Sequence, residues 1–183
     1  DFRTVGGDYY KPTDADYEAN CEEARALLAE AGYPDGEGFP VVEYLYNTSD
    51  AHKAVAEALQ YMWEEELGVK VTLNNQEWAA FLQTRKDGDY SIARNGWIAD
   101  YNDPISFLDM WMTGGGNNDA QYANEEYDSL IKEAKTTTDV KERMELLHKA
   151  EDMIIGEDNA LAPLYFYTQK YMLADGIEGL YYC

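Results

Sequence analysis

The sequence predicts an α/β fold, a sheet flanked by helices, and three observations lead there. Residues 41–75 read as strand, helix, strand with short joins, which is a βαβ unit and implies a parallel strand pair. Further helical segments with apolar stripes precede and follow it. The composition, 45% apolar and 14% aromatic over 183 residues, is that of a globular chain able to bury a real core. The chain is read as a single domain over residues 1–183.

The elements follow in order. "NCEEARALLAEAGYPDGEGFP" (20–40) predicts a helix with both ends marked. Asn20 and Glu23 suit a capping box, Ala24, Leu27, Leu28 and Ala31 form a stripe, and Gly32 then Pro34 stop it. Cys21 would lie in the first turn, as a plain exposed thiol or as one with a lowered pKa. "VVEYLYN" (41–47) is β-branched and aromatic, hence a strand. "DAHKAVAEALQYMWEEELG" follows as a helix with Ala51, Val55, Ala58, Leu59 and Met62 on one face, and "VKVTLNN" (69–75) is the next strand. In "QEWAAFLQTRKDG", Trp78, Phe81, Leu82 and Arg85 share a helical face. "DYSIARNGW" (89–97) alternates and predicts a third strand, and Gly114, Gly115 and Gly116 mark a loop. "NEEYDSLIKEAKTTTD" aligns Tyr127, Leu130, Ile131 and Ala134. Asp139 with Glu142 predicts a capping box for a helix carrying Val140, Met144, Leu147, Ala150 and Ile154. "ALAPLYFYTQKYML" (160–173) predicts a closing strand broken by Pro163.

A net charge of −22, from 14 Lys and Arg against 36 Asp and Glu, argues against nucleic acid and against anionic lipid as partners. The two cysteines have no metal-ligand spacing and nothing pairs them. No cofactor or metal motif appears, nor any nucleophile elbow, zinc-protease helix or phosphate loop. There is no apolar run near 18 residues and no signal-peptide pattern, and the opening reads like the inside of a longer protein.

The segment "RNGWIADYNDP" (94–104) stands out. Only five Arg exist, and Arg85 and Arg94 fall within ten positions of each other. Asp100 follows a strand end, where ligands of open α/β sheets gather, and Trp78 and Trp97 flank the group. This set fits a zwitterion, its ammonium on Asp100 and its carboxylate on an Arg. The residues equally allow an Arg94–Asp100 salt bridge, a core Trp78, a capping or surface His52 and a turn role for Asp103. Asp100 and Asp103 also form a carboxylate pair of the kind a hydrolase uses, though their spacing in a loop fixes no separation.

"NNQEWAAFLQTRKDGDYSIARNGWIADYNDPISFLDMW" resembles bacterial oligopeptide-binding proteins, the extracytoplasmic solute-binding subunits of ABC importers (solute-binding family 5). "ARALLAEAGY", "FPVVEYLYNTSDAHKAVAEALQYMWEEELGVKV", "YDSLIKEA", "ERMELLHKAE" and "APLYFY" fall in family order. The resemblance implies the C-terminal lobe of a type II periplasmic-binding-protein-like fold, with a mixed β-sheet flanked by helices. It also implies a non-enzymatic protein with no cofactor, located in the periplasm or held on the outer face of the cytoplasmic membrane as a lipoprotein. Its partners would be short peptides, an ABC permease and an N-terminal lobe absent from this chain, as the family's C-terminal tail is absent. By the same resemblance Asp100 holds the peptide ammonium, and Arg94 and Arg85 serve charge recognition. Trp78 lines a side-chain pocket, His52 meets carboxylates, and the backbone of Gly96, Trp97 and Ile98 runs beside the peptide. Ile98 stands where some members carry a disulfide-forming Cys. The same fold with a dipeptide, a nickel chelate or a sugar as ligand is the alternative.

Overall fold

The computed structural model describes residues 14–168, 170–177 and 179. Among the described residues three strands build one sheet: β1 (Val42–Asn47), β2 (Val71–Gln76) and β3 (Ile92–Ala93), in the order β2-β1-β3. Both pairings are parallel, with Tyr44 opposite Leu73 on one side and Ile92 on the other. The predicted parallel pair is therefore present, and the sheet among the described residues is parallel rather than mixed. The expected closing strand is the reason: the described residues of 160–173 form no ladder, and Pro163 supplies no N–H for one. β3 is also shorter than the predicted strand 89–97.

Helices α2 (Asp50–Leu67) and α3 (Trp78–Asp87) pack on the sheet, and α1 (Asp14–Glu30) packs on α2. The predicted cap at Asn20 is not used, because α1 already runs through it. Its inward side is Ala24 and Leu28 rather than Leu27, which stays exposed. On α2 the buried line is Ala56 with Leu59, Trp63 and Leu67, one step round from the predicted face. Two contacts fix that rotation. Trp63 meets Tyr44 edge-on at 6.4 Å, and the Gln60 amide donates to the Val71 carbonyl at 2.7 Å. α2 ends at Gly68, whose φ of 65° is left-handed and whose missing side chain leaves room for the Asp35 carbonyl.

Beyond β3 the chain turns through α4 (Ile105–Leu108) and a 3-10 turn, Asp109–Trp111, neither of which periodicity announces. A glycine-rich loop follows, tied by buried Asn118. Its amide donates to the carbonyls of Trp111, Met112 and Tyr122. Helices α5 (Glu125–Thr136) and α6 (Val140–Glu151) then form an antiparallel-type hairpin in sequence, α6 continuing into a π-helical turn at Asp152–Glu157. Asn124 caps α5, accepting from the N–H groups of Glu126 and Tyr127. Asp139 accepts from the Glu142 N–H at 2.9 Å, one half of the predicted capping box.

The apolar interior divides in two. One cluster joins β1 and β2 to α2, and includes Tyr44, Tyr46, Ala56, Val69 and Val71. The other joins α4 to the α5–α6 pair around Tyr127, Ile131 and Leu147. The 94–104 segment links β3 to α4 along the chain, and Trp97 packs on the second cluster.

Candidate ligand-binding site

The site begins where β1 and β3 end. Asn47, the last residue of β1, is buried, in a strand position where Asn is normally disfavoured. It is held there by what it touches. Its side-chain oxygen accepts from the Arg94 guanidinium at 3.3 Å, and its carbonyl lies 3.3 Å from His52 Nδ1. Arg94 is itself fixed at the main chain, its N–H donating to the Leu45 carbonyl at 2.8 Å. Its guanidinium also donates to the Tyr167 hydroxyl at 2.6 Å. Burial first, and then the Arg94 charge, lower the His52 pKa, so the imidazole is neutral at pH 7. Arg94 is thus the donor of this corner beyond the strand ends, while the neutral His52, its Nδ1–H facing the Asn47 carbonyl, leaves Nε2 as an acceptor.

From Asn95 to Asp100 the chain stays outside any helix or strand ladder, and no main-chain N–H finds a main-chain acceptor among the described residues. Gly96 N–H turns to the Asn95 side chain at 2.8 Å, and Asp100 N–H donates to Ser106 Oγ at 3.0 Å. Gly96 is small for a reason: a Cβ there would lie 2.8 Å from the Arg94 guanidinium. Ile98 is 78% exposed. Trp97 is half-buried, and its indole N–H is enclosed without an acceptor among the described residues.

Asp100 lies exposed at the far end, and its carboxylate makes no ion pair or hydrogen bond among the described residues. The Arg94–Asp100 salt bridge that the sequence allowed is not formed. Asp103 is different. Its carboxylate receives two N–H groups from Arg143, at 2.8 and 2.9 Å, and the Ile105 N–H at 2.9 Å. The Arg143 hydrogen bonds hold its pKa below the usual carboxylate range. A carboxyl so held stays ionised and is a poor general acid, so the Asp100–Asp103 hydrolase pair loses one of its two roles.

Two further expected residues lie on α3. Arg85, expected in the cleft, is 8% exposed, paired with Asp119 and placed over the Phe81 ring at 5.2 Å. The helical face that buries Phe81 carries Arg85 inward with it, and the glycine-rich loop supplies the counter-charge. Trp78 is 53% exposed, resting on Phe81 at 5.8 Å, so it presents an indole face to solvent. Periodicity alone missed Asn47, Ser106, Arg143 and Tyr167. Asn at the end of a strongly apolar strand was the one available signal.

A separate cleft of about 300 Å³ opens at the ends of β1 and β2, lined by Tyr46, Thr48, Ser49, Asp50, Lys53 and Asn75. No group of three or more potential metal ligands gathers among the described residues. No described helix is long and apolar enough to cross a membrane.

Comparison with known proteins decides the family. The model for bacterial extracellular solute-binding proteins, family 5 (middle region), matches residues 4–119. The chain belongs to that family. It is 39% identical over 173 residues to the oligopeptide-binding protein OppA of Bacillus subtilis, covering 94% of this chain and 31% of that protein. The periplasmic OppA of Salmonella typhimurium is 42% identical over 158 residues, covering 86% of this chain and 29% of that one. The crystal structure of Haemophilus influenzae OppA in complex with RPPGFSPFR superposes with a TM-score of 0.69 at 40% identity, covering 73% of this chain and 26% of that one. The chain spans about a third of the length of the curated relatives it matches. These neighbours are periplasmic-binding-protein structures, and the α/β fold with its parallel strands agrees with them.

Proposed function

We propose that this chain is one lobe of an extracytoplasmic peptide-binding subunit of an ABC importer. A short peptide lies extended along residues 95–100, its ammonium on Asp100 and its carboxylate towards Arg94, with His52 a second partner when protonated. The observation that carries this reading is the bare edge of main chain between those two ends. A segment outside the sheet whose N–H groups, apart from those of Gly96 and Asp100, meet no acceptor among the described residues suits strand addition, in which the backbone is read directly and side chains only weakly. Six extended residues reach at most about 20 Å, which suits a peptide of a few residues. Gly96, Trp97 and Ile98 supply the edge, and Trp78 offers an apolar face to a side chain. The neighbour solved with RPPGFSPFR and the oligopeptide-binding relatives support a peptide over a sugar or a nickel chelate.

A second lobe of the same protein would close over this face and dry the ion pairs, which are weak while exposed. Release to a permease then needs only affinity that differs between open and closed states, and no chemistry. The protein would work in the periplasm or on the outer face of the cytoplasmic membrane as a lipoprotein.

Calorimetry of the two-lobed protein with tetraalanine and N-acetyl-tetraalanine tests this. Acetylation is expected to weaken binding, and Asp100→Asn to weaken tetraalanine alone by about 2 kcal/mol, the lower end for a desolvated charge pair. Equal affinity for the two peptides would sink the proposal.

A further inference from the structure

We infer that Arg143, Asp103 and Ser106 act together as positioning residues for the ammonium-binding carboxylate of Asp100, an inference that rests on the peptide reading above. An exposed carboxylate on an irregular loop has conformational freedom to lose when it captures a cation, and that loss subtracts from affinity. The loop here is held from behind. Asp100 N–H donates to Ser106 Oγ at 3.0 Å, and Ser106 is only 3% exposed. Ser106 N–H in turn donates to the Asp103 carbonyl at 3.1 Å. The Asp103 carboxylate binds the first free N–H of α4, that of Ile105, and takes the bidentate grip of Arg143.

Arg143 sits in the first turns of α6, and its Nε also donates to the Ala134 carbonyl near the end of α5, at 3.2 Å. The chain of contacts therefore runs from the packed α5–α6 core, through one guanidinium and one carboxylate, to a serine and then to the backbone of Asp100. The bidentate fork sets direction as well as distance, which a lysine ammonium would not. None of the three need touch the peptide. Their effect is to keep the Asp100 backbone still, so that its side chain explores few directions.

The test is the ratio of affinities for tetraalanine over N-acetyl-tetraalanine, measured with melting temperature, in the two-lobed protein. Ser106→Ala, which removes one acceptor from a small buried site, is expected to lower the ratio about five- to tenfold. Arg143→Met should lower it at least as far, with a loss of melting temperature, and Arg143→Lys should restore only part. If Ser106→Ala and Arg143→Met leave the ratio intact while Asp100→Asn collapses it, the three residues are merely structural and the inference is overturned, although the peptide reading stands. If Asp100→Asn also leaves the ratio intact, both fail.

Discussion

Asn47 meets Arg94 and His52 at once, accepting from the Arg94 guanidinium with its side chain while its carbonyl faces His52 Nδ1, each at 3.3 Å. One residue at the end of β1 thereby sets the spacing of the corner proposed to receive a peptide carboxylate.

Asn47→Ala should accordingly weaken peptides with a free carboxylate by about 1 kcal/mol, the usual net worth of one hydrogen bond. Amidated peptides should be affected less. Paired calorimetry on the acid and amide forms of one peptide measures the difference, and equal losses would remove Asn47 from carboxylate recognition.

The pH dependence divides by group. The folded-state pKa of His52 is lowered, so the unfolded chain takes up its proton first. Its contribution to stability is complete above the unfolded value of about 6.5 and is lost as pH falls through the folded value. Between pH 7.5 and 5.5 the melting temperature of the wild type should fall more than that of His52→Gln.

Asp103 acts in a lower window. Its pKa is also depressed, by the Arg143 hydrogen bonds first, so its contribution is present above about pH 4 and disappears as acid titrates the folded carboxylate. Acid unfolding of Asp103→Asn should lack that last step, which circular dichroism across pH 2–5 would register.

The Arg85–Asp119 pair is enclosed, its side chains 9% and 11% exposed. Removing only the anion, in Asp119→Ala, should cost about 3–5 kcal/mol by stranding a buried guanidinium. The double replacement Arg85→Met with Asp119→Leu should recover much of it in urea unfolding. A benign single variant would mean that solvent reaches Arg85.

Much of the fold was legible because periodic patterns report local burial. The βαβ unit at 42–76, the α5 stripe and the α6 stripe from Met144 onward were readable from residue spacing alone, whereas Val140, expected on the same face, is exposed. The rotation of α2 was not, since Trp63 and Gln60 chose the face through contacts with Tyr44 and Val71, far away in sequence. The site divides in the same manner. The composition of 94–104 marks it as irregular and charged, which locates Asp100 and Arg94. It does not reveal that Arg85 finds Asp119, 34 residues on, or that Asp103 finds Arg143, 40 residues on. Partner choice across such separations belongs to tertiary packing.

The two apolar clusters carry a consequence for cooperativity. The sheet-side cluster and the α5–α6 cluster are bridged by the 94–104 segment, which contributes few main-chain bonds of its own. Such an arrangement lets the halves open as separate foldons, so amide exchange should protect β1 and α6 with unequal free energies. The segment proposed to grip a peptide would then be the seam between them, and an occupied seam would make the two halves melt as one.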